Sequence, residues 1–206
     1  MLIKFKKKSL RGSSKRWIQR KYNDNFIKKT KQLNYRSRAV FKLIEIDKKF
    51  NCFKKNHNIL DLGSSPGSWS QYLIKKGFKN ILSIDVLQME DIPNVNFILG
   101  DFTDNKIQKK IFEKFHEINI IISDIAVNTT GNKKLDSYKT NSICLEVLKF
   151  SFKYLCQKGV VIAKYFNGEL EKNIIQYSKV NFNRFKIIKP LSSRKDSKEI
   201  YIYCEK

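Results

Sequence analysis

Histidine is almost missing from this sequence. Only His57 and His116 occur among 206 residues, both in polar surroundings. That scarcity argues against a zinc site, so no metal is expected, and against any mechanism built on a histidine base. Cysteine is hardly better supplied: Cys52, Cys144, Cys156 and Cys204 lie far apart, with no Cys-x-x-Cys pair. They read as small buried hydrophobes of a protein in a reducing compartment. No apolar run approaches the roughly 20 residues that span a bilayer, so no membrane partner is expected. The opening MLIKFKKKSLRGSSKRW lacks both the apolar core and the small-residue cleavage site of a secretion signal. A cytoplasmic location is the expectation. Repeats, internal linkers and a second domain are missing too, and a monomer is expected.

Acidic residues are in short supply. The chain has 42 Lys and Arg against 19 Asp and Glu, a net charge of +23. Such a surplus points to a polyanion, nucleic acid ahead of a membrane. Lysine (35) far outnumbers arginine (7), as AT-rich coding would also produce. Distribution decides: residues 1–58 hold 19 basic and 3 acidic residues, +16 of the total. Drift spreads charge evenly, so this block reads as functional. Residues 1–30 are expected to be a basic arm, partly helical over 17–29, and residues 31–206 one folded domain. Trp17, Tyr22 and Phe26 are interleaved among the arm's charges. They either stack on exposed bases or pack on the core.

Past the arm, an apolar side built from Ala39, Phe41, Leu43, Ile44 and Ile46 predicts a helix over 37–50. Apolar runs at 58–62, 80–86, 96–99, 118–124 and 159–166 have the look of buried parallel strands. Helical patterns at 68–76, 105–115, 138–155 and 168–179 separate or follow them. Two last strands, 184–189 and 199–205, are close enough to pair antiparallel. The alternation predicts an α/β fold, a doubly wound sheet with helices on both faces.

In such a sheet a ligand sits beyond the carboxyl ends of the strands near the switch point. After the first strand comes ILDLGSSPGSWS, residues 59–70. Its spacing, Gly63-x-x-x-Gly67, fails the dinucleotide pattern and the Walker pattern alike. Aspartates follow at the next strand ends. Asp85 can accept both hydroxyls of a ribose, Asp101 can accept from an adenine amino group, and Asp124 closes the fourth strand. Together they outline a pocket for an adenosine-bearing ligand without phosphates, and S-adenosylmethionine fits.

Five segments, RSRAVFKLIEI, DLGSSPGSWSQYL, SDIAVNTTG, AKYFNGE and KPLSSRKDSKEIYI, resemble the FtsJ/RrmJ family of ribose 2′-O-methyltransferases, in its order and spacing across nearly the whole chain. The resemblance implies a Rossmann-like methyltransferase domain over 31–206. It places that family's catalytic Lys-Asp-Lys-Glu tetrad on Lys42, Asp124, Lys164 and Glu199. It places the S-adenosylmethionine contacts on Gly67, Trp69, Asp85, Asp101 and Asp124. Three departures stand out: Val127 where proline is usual before Asn128, Ser68 for a second glycine, and Tyr165 for a small apolar residue.

The implied reaction is 2′-O-methylation of a uridine ribose in large-subunit (23S) ribosomal RNA, on an assembled or nearly assembled subunit. The arm would hold the RNA backbone through phosphate contacts. Relatives act on transfer RNA anticodon loops, and the shortness of this chain favours the ribosomal reading over theirs. A non-catalytic assembly factor on the same scaffold is the alternative from another class. The residues themselves argue against other methyl acceptors. The fourth strand ends in SDIA, not in an Asn-Pro-Pro-Tyr-like sequence suited to base nitrogens, and no cysteine follows a proline as carbon methylation commonly requires. For Lys164 two roles stay open, since an ordinary lysine is protonated near neutral pH: general base, or cation that orients the hydroxyl.

Overall fold

The computed structural model describes residues 24–127, 130–194 and 196–206. Helices α1 (Asn25–Gln32), α2 (Val40–Phe50) and α3 (Ser68–Lys75) cover one face of a single sheet; α4 (Asn105–Lys114), α5 (Lys133–Tyr154) and α6 (Glu171–Asn181) cover the other. The strands are β1 (Ile59–Leu62), β2 (Ile81–Asp85), β3 (Asn96–Leu99), β4 (Ile118–Ser123), β5 (Leu155–Phe166), β6 (Arg184–Ile188) and β7 (Glu199–Glu205), in the order β3-β2-β1-β4-β5-β7-β6. This is the doubly wound arrangement expected from the alternation.

The apolar runs are continuous because both faces are covered. Every residue of β1 and β2 is buried. Alternation along β5 shows the two sides: Val160 and Ile162 join the cluster of Leu43 and Leu73, while Val161, Ala163 and Tyr165 join that of Ile111, Leu148 and Ile174. Each such fully buried side chain stabilises the fold by about 1.5–3 kcal/mol. Among the described residues, no helix is long and apolar enough to cross a membrane. All four cysteines are free. Burial pushes the thiols of Cys52 and Cys204 up to about 12, which suits inert hydrophobes.

Three boundaries differ from the sequence pattern, each for a local reason. Helix α5 starts well before 138, because the Asn132 side chain accepts from the N–H groups of Lys134 and Leu135 and caps it. Strand β5 starts at Leu155, before a register shift that carries the pairing from Ile118 to Ile120. In the arm, helix α1 begins at the Asp24 cap and docks: the Phe26 ring lies 5.2 Å from Phe41, and Asp24 pairs with Arg38. Trp17 and Tyr22 lie outside the described residues.

The topology of β7 positions the site. It runs antiparallel between β5 and β6. Its first residue, Glu199, therefore arrives at the edge where β1, β2, β4 and β5 end.

Candidate active site

A cavity of about 650 Å³ opens at that edge, beside the β1/β4 switch. Its walls include Asp85, Asp101, Asp124 and Glu146 and, among the described residues, no lysine or arginine. Val86, Leu87, Phe102 and Ile143 supply apolar surface. Asp85 is anchored by two backbone donors, Ser65 N–H and Leu87 N–H, both at 2.8 Å. Asp101 Oδ1 accepts from the Thr103 N–H and hydroxyl, also at 2.8 Å. Such a lining suits a nucleoside-sized ligand rich in donors and positive charge, and it offers a phosphate no cation.

Gly67 and Trp69 are not among the residues lining this cavity. Gly67 caps α3 with φ of 99°, and a Cβ there would come within 2.6 Å of Ile92 Cδ1 and 2.7 Å of Met89 Sδ. Trp69 is buried, gives its indole N–H to the Ala39 carbonyl at 2.8 Å, and sits 5.9 Å from the Tyr201 ring. Both shape the loop that carries Ser65 to Asp85.

Asp124 is shared with a second constellation. Lys164 Nζ is 3.0 Å from Asp124 Oδ1 and donates to the Asp124 main-chain oxygen at 2.5 Å. Lys42 Nζ is 2.7 Å from Glu199 Oε1 and 3.9 Å from Asp124 Oδ2, and Lys164 Nζ is 3.9 Å from the same Glu199 oxygen. Pairing explains the convergence. Lys164 stands opposite Tyr201 and Phe166 opposite Glu199, so Glu199 lies one pleat along the same face. Ser123 pairs with Ala163, which sets Asp124 beside Lys164. Lys42 reaches in from α2.

Tyr201, unsuspected from its sequence position, completes the cluster by donating its hydroxyl to Asp124 Oδ1. Burial, then the Asp124 and Glu199 charges, push that hydroxyl well above its ordinary value, so it remains a donor. Burial alone would raise the Asp124 carboxyl. The Lys164 and Lys42 ammoniums, with the Tyr201 hydroxyl, overrule it and hold Asp124 below its ordinary value. It stays ionised.

Two supports lie outside the residues singled out by sequence. Arg36 donates to the carbonyls of Pro66 (3.0 Å), Glu90 (2.6 Å) and Asp91 (2.7 Å), stapling the glycine loop to the loop after β2. Beneath the cavity, buried Asp61 accepts from Ser70 Oγ at 2.6 Å, which also touches Ser83 Oγ at 2.7 Å. Burial pushes the Asp61 carboxyl up to about 7; the Ser70 hydrogen bond opposes this, and the Asp124 and Asp85 charges add to it.

The departures from the family pattern fall into place locally. Tyr165 points to the face opposite Lys164 and is buried among Cys144 and Ile174, with its hydroxyl 3.4 Å from Glu171. Ser68 accepts the Ser37 hydroxyl at 2.8 Å, joining α3 to the residues before α2. Val127 lines the cavity. Asn128 lies outside the described residues.

Comparison with known proteins agrees with this architecture. Residues 35–206 match the family model described as FtsJ-like methyltransferase. The chain is 42% identical to Ribosomal RNA large subunit methyltransferase E of Pelagibacter ubique over 196 residues, covering 93% of this chain and 96% of the relative. It is also 42% identical to the protein of that name from Buchnera aphidicola subsp. Schizaphis graminum, covering 96% and 97% of the two chains. A solved Plasmodium falciparum protein named as a ribosomal RNA methyltransferase superposes with a TM-score of 0.75 at 37% identity, over 83% of this chain and 97% of that one.

Proposed function

Since the chain belongs to the FtsJ-like methyltransferase family, we propose that it transfers a methyl group from S-adenosylmethionine to the 2′-hydroxyl of a uridine in large-subunit ribosomal RNA, on an assembled or nearly assembled subunit. One observation carries the reading: a cation-free carboxylate cavity shares Asp124 with a neutral cluster of two lysines and two carboxylates. The names of the relatives supply the class of RNA.

The cavity fits this cofactor. Asp85 and Asp101 meet ribose hydroxyls and an adenine amino group, the apolar wall takes the ring, and the carboxylates suit the positive sulfur and the ammonium group. Bound S-adenosylmethionine supplies a methyl group on a positively charged sulfur, open to attack by an oxygen. The chain's own part is positioning, which can supply about 7–11 kcal/mol of a barrier. Lys164 directs two N–H groups at Asp124, leaving the third for the acceptor oxygen. Lys42 and Tyr201 hold Glu199 and Asp124 in place. The proton that the hydroxyl must shed meets Lys164 Nζ first, with Glu199 Oε1 3.9 Å beyond.

Residues 1–23 carry nine lysines and arginines and no acid, and they serve as an RNA-binding arm on the domain. Since α1 is docked, a clean truncation ends before Asp24. It is expected to leave cofactor binding intact and to flatten the salt dependence of subunit binding. Coincident salt slopes for the long and short proteins would reduce the arm's charge to coding bias.

The direct test incubates the protein with labelled S-adenosylmethionine and large subunits lacking their methyl groups, then maps the label. A ribose 2′-O-methyluridine is expected. Label on a base nitrogen or carbon, or no transfer at all, refutes the assignment.

A further inference from the structure

On the other side of the cluster lies a second cavity of about 320 Å³, lined by Ser37, Arg38, Lys42, Phe166, Arg194 and Glu199 among others. We infer that it is the phosphate subsite of the acceptor nucleotide, with Arg194 as the contacting residue and Arg38 as its support. The inference rests on the ribose reading above and deepens it.

Charge supplies the first argument. Within the cluster, Lys42 and Lys164 are matched by Asp124 and Glu199. Beyond it, Arg38 and Arg194 share one carboxylate: Arg38 is bonded to Asp24 Oδ2, and Arg194 Nε is 3.7 Å from the same oxygen. Two guanidiniums on one aspartate leave positive charge at the cavity. Substrate chemistry supplies the second argument. The 3′-phosphate of RNA hangs on the carbon next to the one bearing the 2′-hydroxyl. An RNA that presents this hydroxyl to Lys164 therefore brings a phosphate with it. That phosphate finds no cation in the carboxylate cavity, which leaves the arginine side.

Rigidity supplies the third. Arg38 also donates to the Ser192 carbonyl, and Glu45 accepts from the N–H groups of Leu191 (2.5 Å) and Ser192 (2.9 Å). The loop that carries Arg194 is thereby tied to α2, which carries Lys42. Arg38 is committed to this framework, whereas the Arg194 side chain is 41% exposed. Its planar fork matches two phosphate oxygens.

The test compares Arg194→Gln and Arg194→Lys with wild type in steady-state transfer to unmethylated large subunits, across a salt series, with cofactor affinity by calorimetry. Arg194→Gln is expected to lower kcat/KM roughly tenfold, with the larger part of the loss in KM. The slope of log kcat/KM against log salt should become shallower by about 0.7. Arg194→Lys should recover most of the loss, and the cofactor Kd should not move. Wild-type kcat/KM and salt slope in Arg194→Gln would overturn the subsite alone. A parallel loss of cofactor affinity would assign Arg194 a structural role and overturn it too. If the wild-type enzyme transfers nothing to ribose, the functional reading fails and the subsite fails with it.

Discussion

The two cavities flanking the lysine–carboxylate cluster have opposite linings. One shows Asp85, Asp101, Asp124 and Glu146 with no lysine or arginine among the described residues; the other shows Arg38, Lys42 and Arg194 with Glu199 as its acid. In a chain of net charge +23, a pocket free of cations has to be built, because a random patch would be basic. The contrast matches the two reactants in the proposed reaction, a cationic methyl donor and a polyanionic acceptor. Each is drawn to its own side, and the cluster forms the wall between them. Asp124 faces one cavity, Lys42 and Glu199 the other.

Removing the wall is the harshest way to break this picture. Lys164→Ala is expected to lower kcat by roughly 10²–10⁴-fold, while calorimetry finds an unchanged cofactor Kd. Lys164→Arg separates the two roles left open, since arginine keeps the charge but does not give up its proton. An arginine variant as inactive as alanine assigns Lys164 to proton handling or tight geometry; substantial activity assigns it to orientation. Near-wild-type transfer by the alanine variant would remove Lys164 from the mechanism.

The carboxylate side also makes stability depend on pH, through Asp61. Its folded value of about 7 stands above the ordinary 3.8, so between those values the native carboxyl keeps a proton that the unfolded chain has lost. Stability should therefore fall as pH rises from about 4 to about 7 and level off above, by about 4 kcal/mol in all. Asp61→Asn stays neutral throughout. Urea unfolding should find it more stable than wild type at pH 8 by up to that amount, and equal to it near pH 4. Parallel pH profiles for the two proteins would exclude Asp61 as the source.

Smaller effects sharpen the cofactor side. Asp85→Ala is expected to weaken S-adenosylmethionine binding by about 1.5–3 kcal/mol, the range for hydrogen bonds to a charged group. Unchanged affinity in the folded variant would falsify the placement of the ribose there. Arg36→Met touches no lining residue directly but releases three carbonyls. A rise of about tenfold in cofactor Kd, with kcat largely kept, is the expectation for a staple of partly exposed hydrogen bonds. If kcat falls as far as affinity worsens, Arg36 does more than hold the loops.

Legibility followed physical locality. Strands β1, β2 and β4 could be read because burial on both faces writes a continuous apolar run. The aspartates at strand ends could be read because the switch-point rule says where such ends meet. The start of α5 was hidden because a single Asn132 side chain sets it. Arg36 was hidden as well, since its three partners are main-chain carbonyls that any residue could supply. Tyr201 looked like one more aromatic in a strand until β7 was paired with β5. The motif resemblance named Gly67 and Trp69 as cofactor contacts, but their backbone and ring positions put them outside the lining.

By itself, the chain's order of residues determined the doubly wound sheet, the basic surplus and the chemistry on offer: carboxylates at strand ends, and a lysine in an otherwise apolar strand. Those follow from periodicity and composition, which act over a few residues at a time. Only the tertiary structure decided that Lys42 and Glu199, 157 residues apart, meet at 2.7 Å, and that Arg38 and Arg194 converge on Asp24. Insertion of an antiparallel β7 between β5 and β6 brings Glu199 to the carboxyl edge of the parallel strands. That is a pairing between distant segments, and no local pattern encodes it.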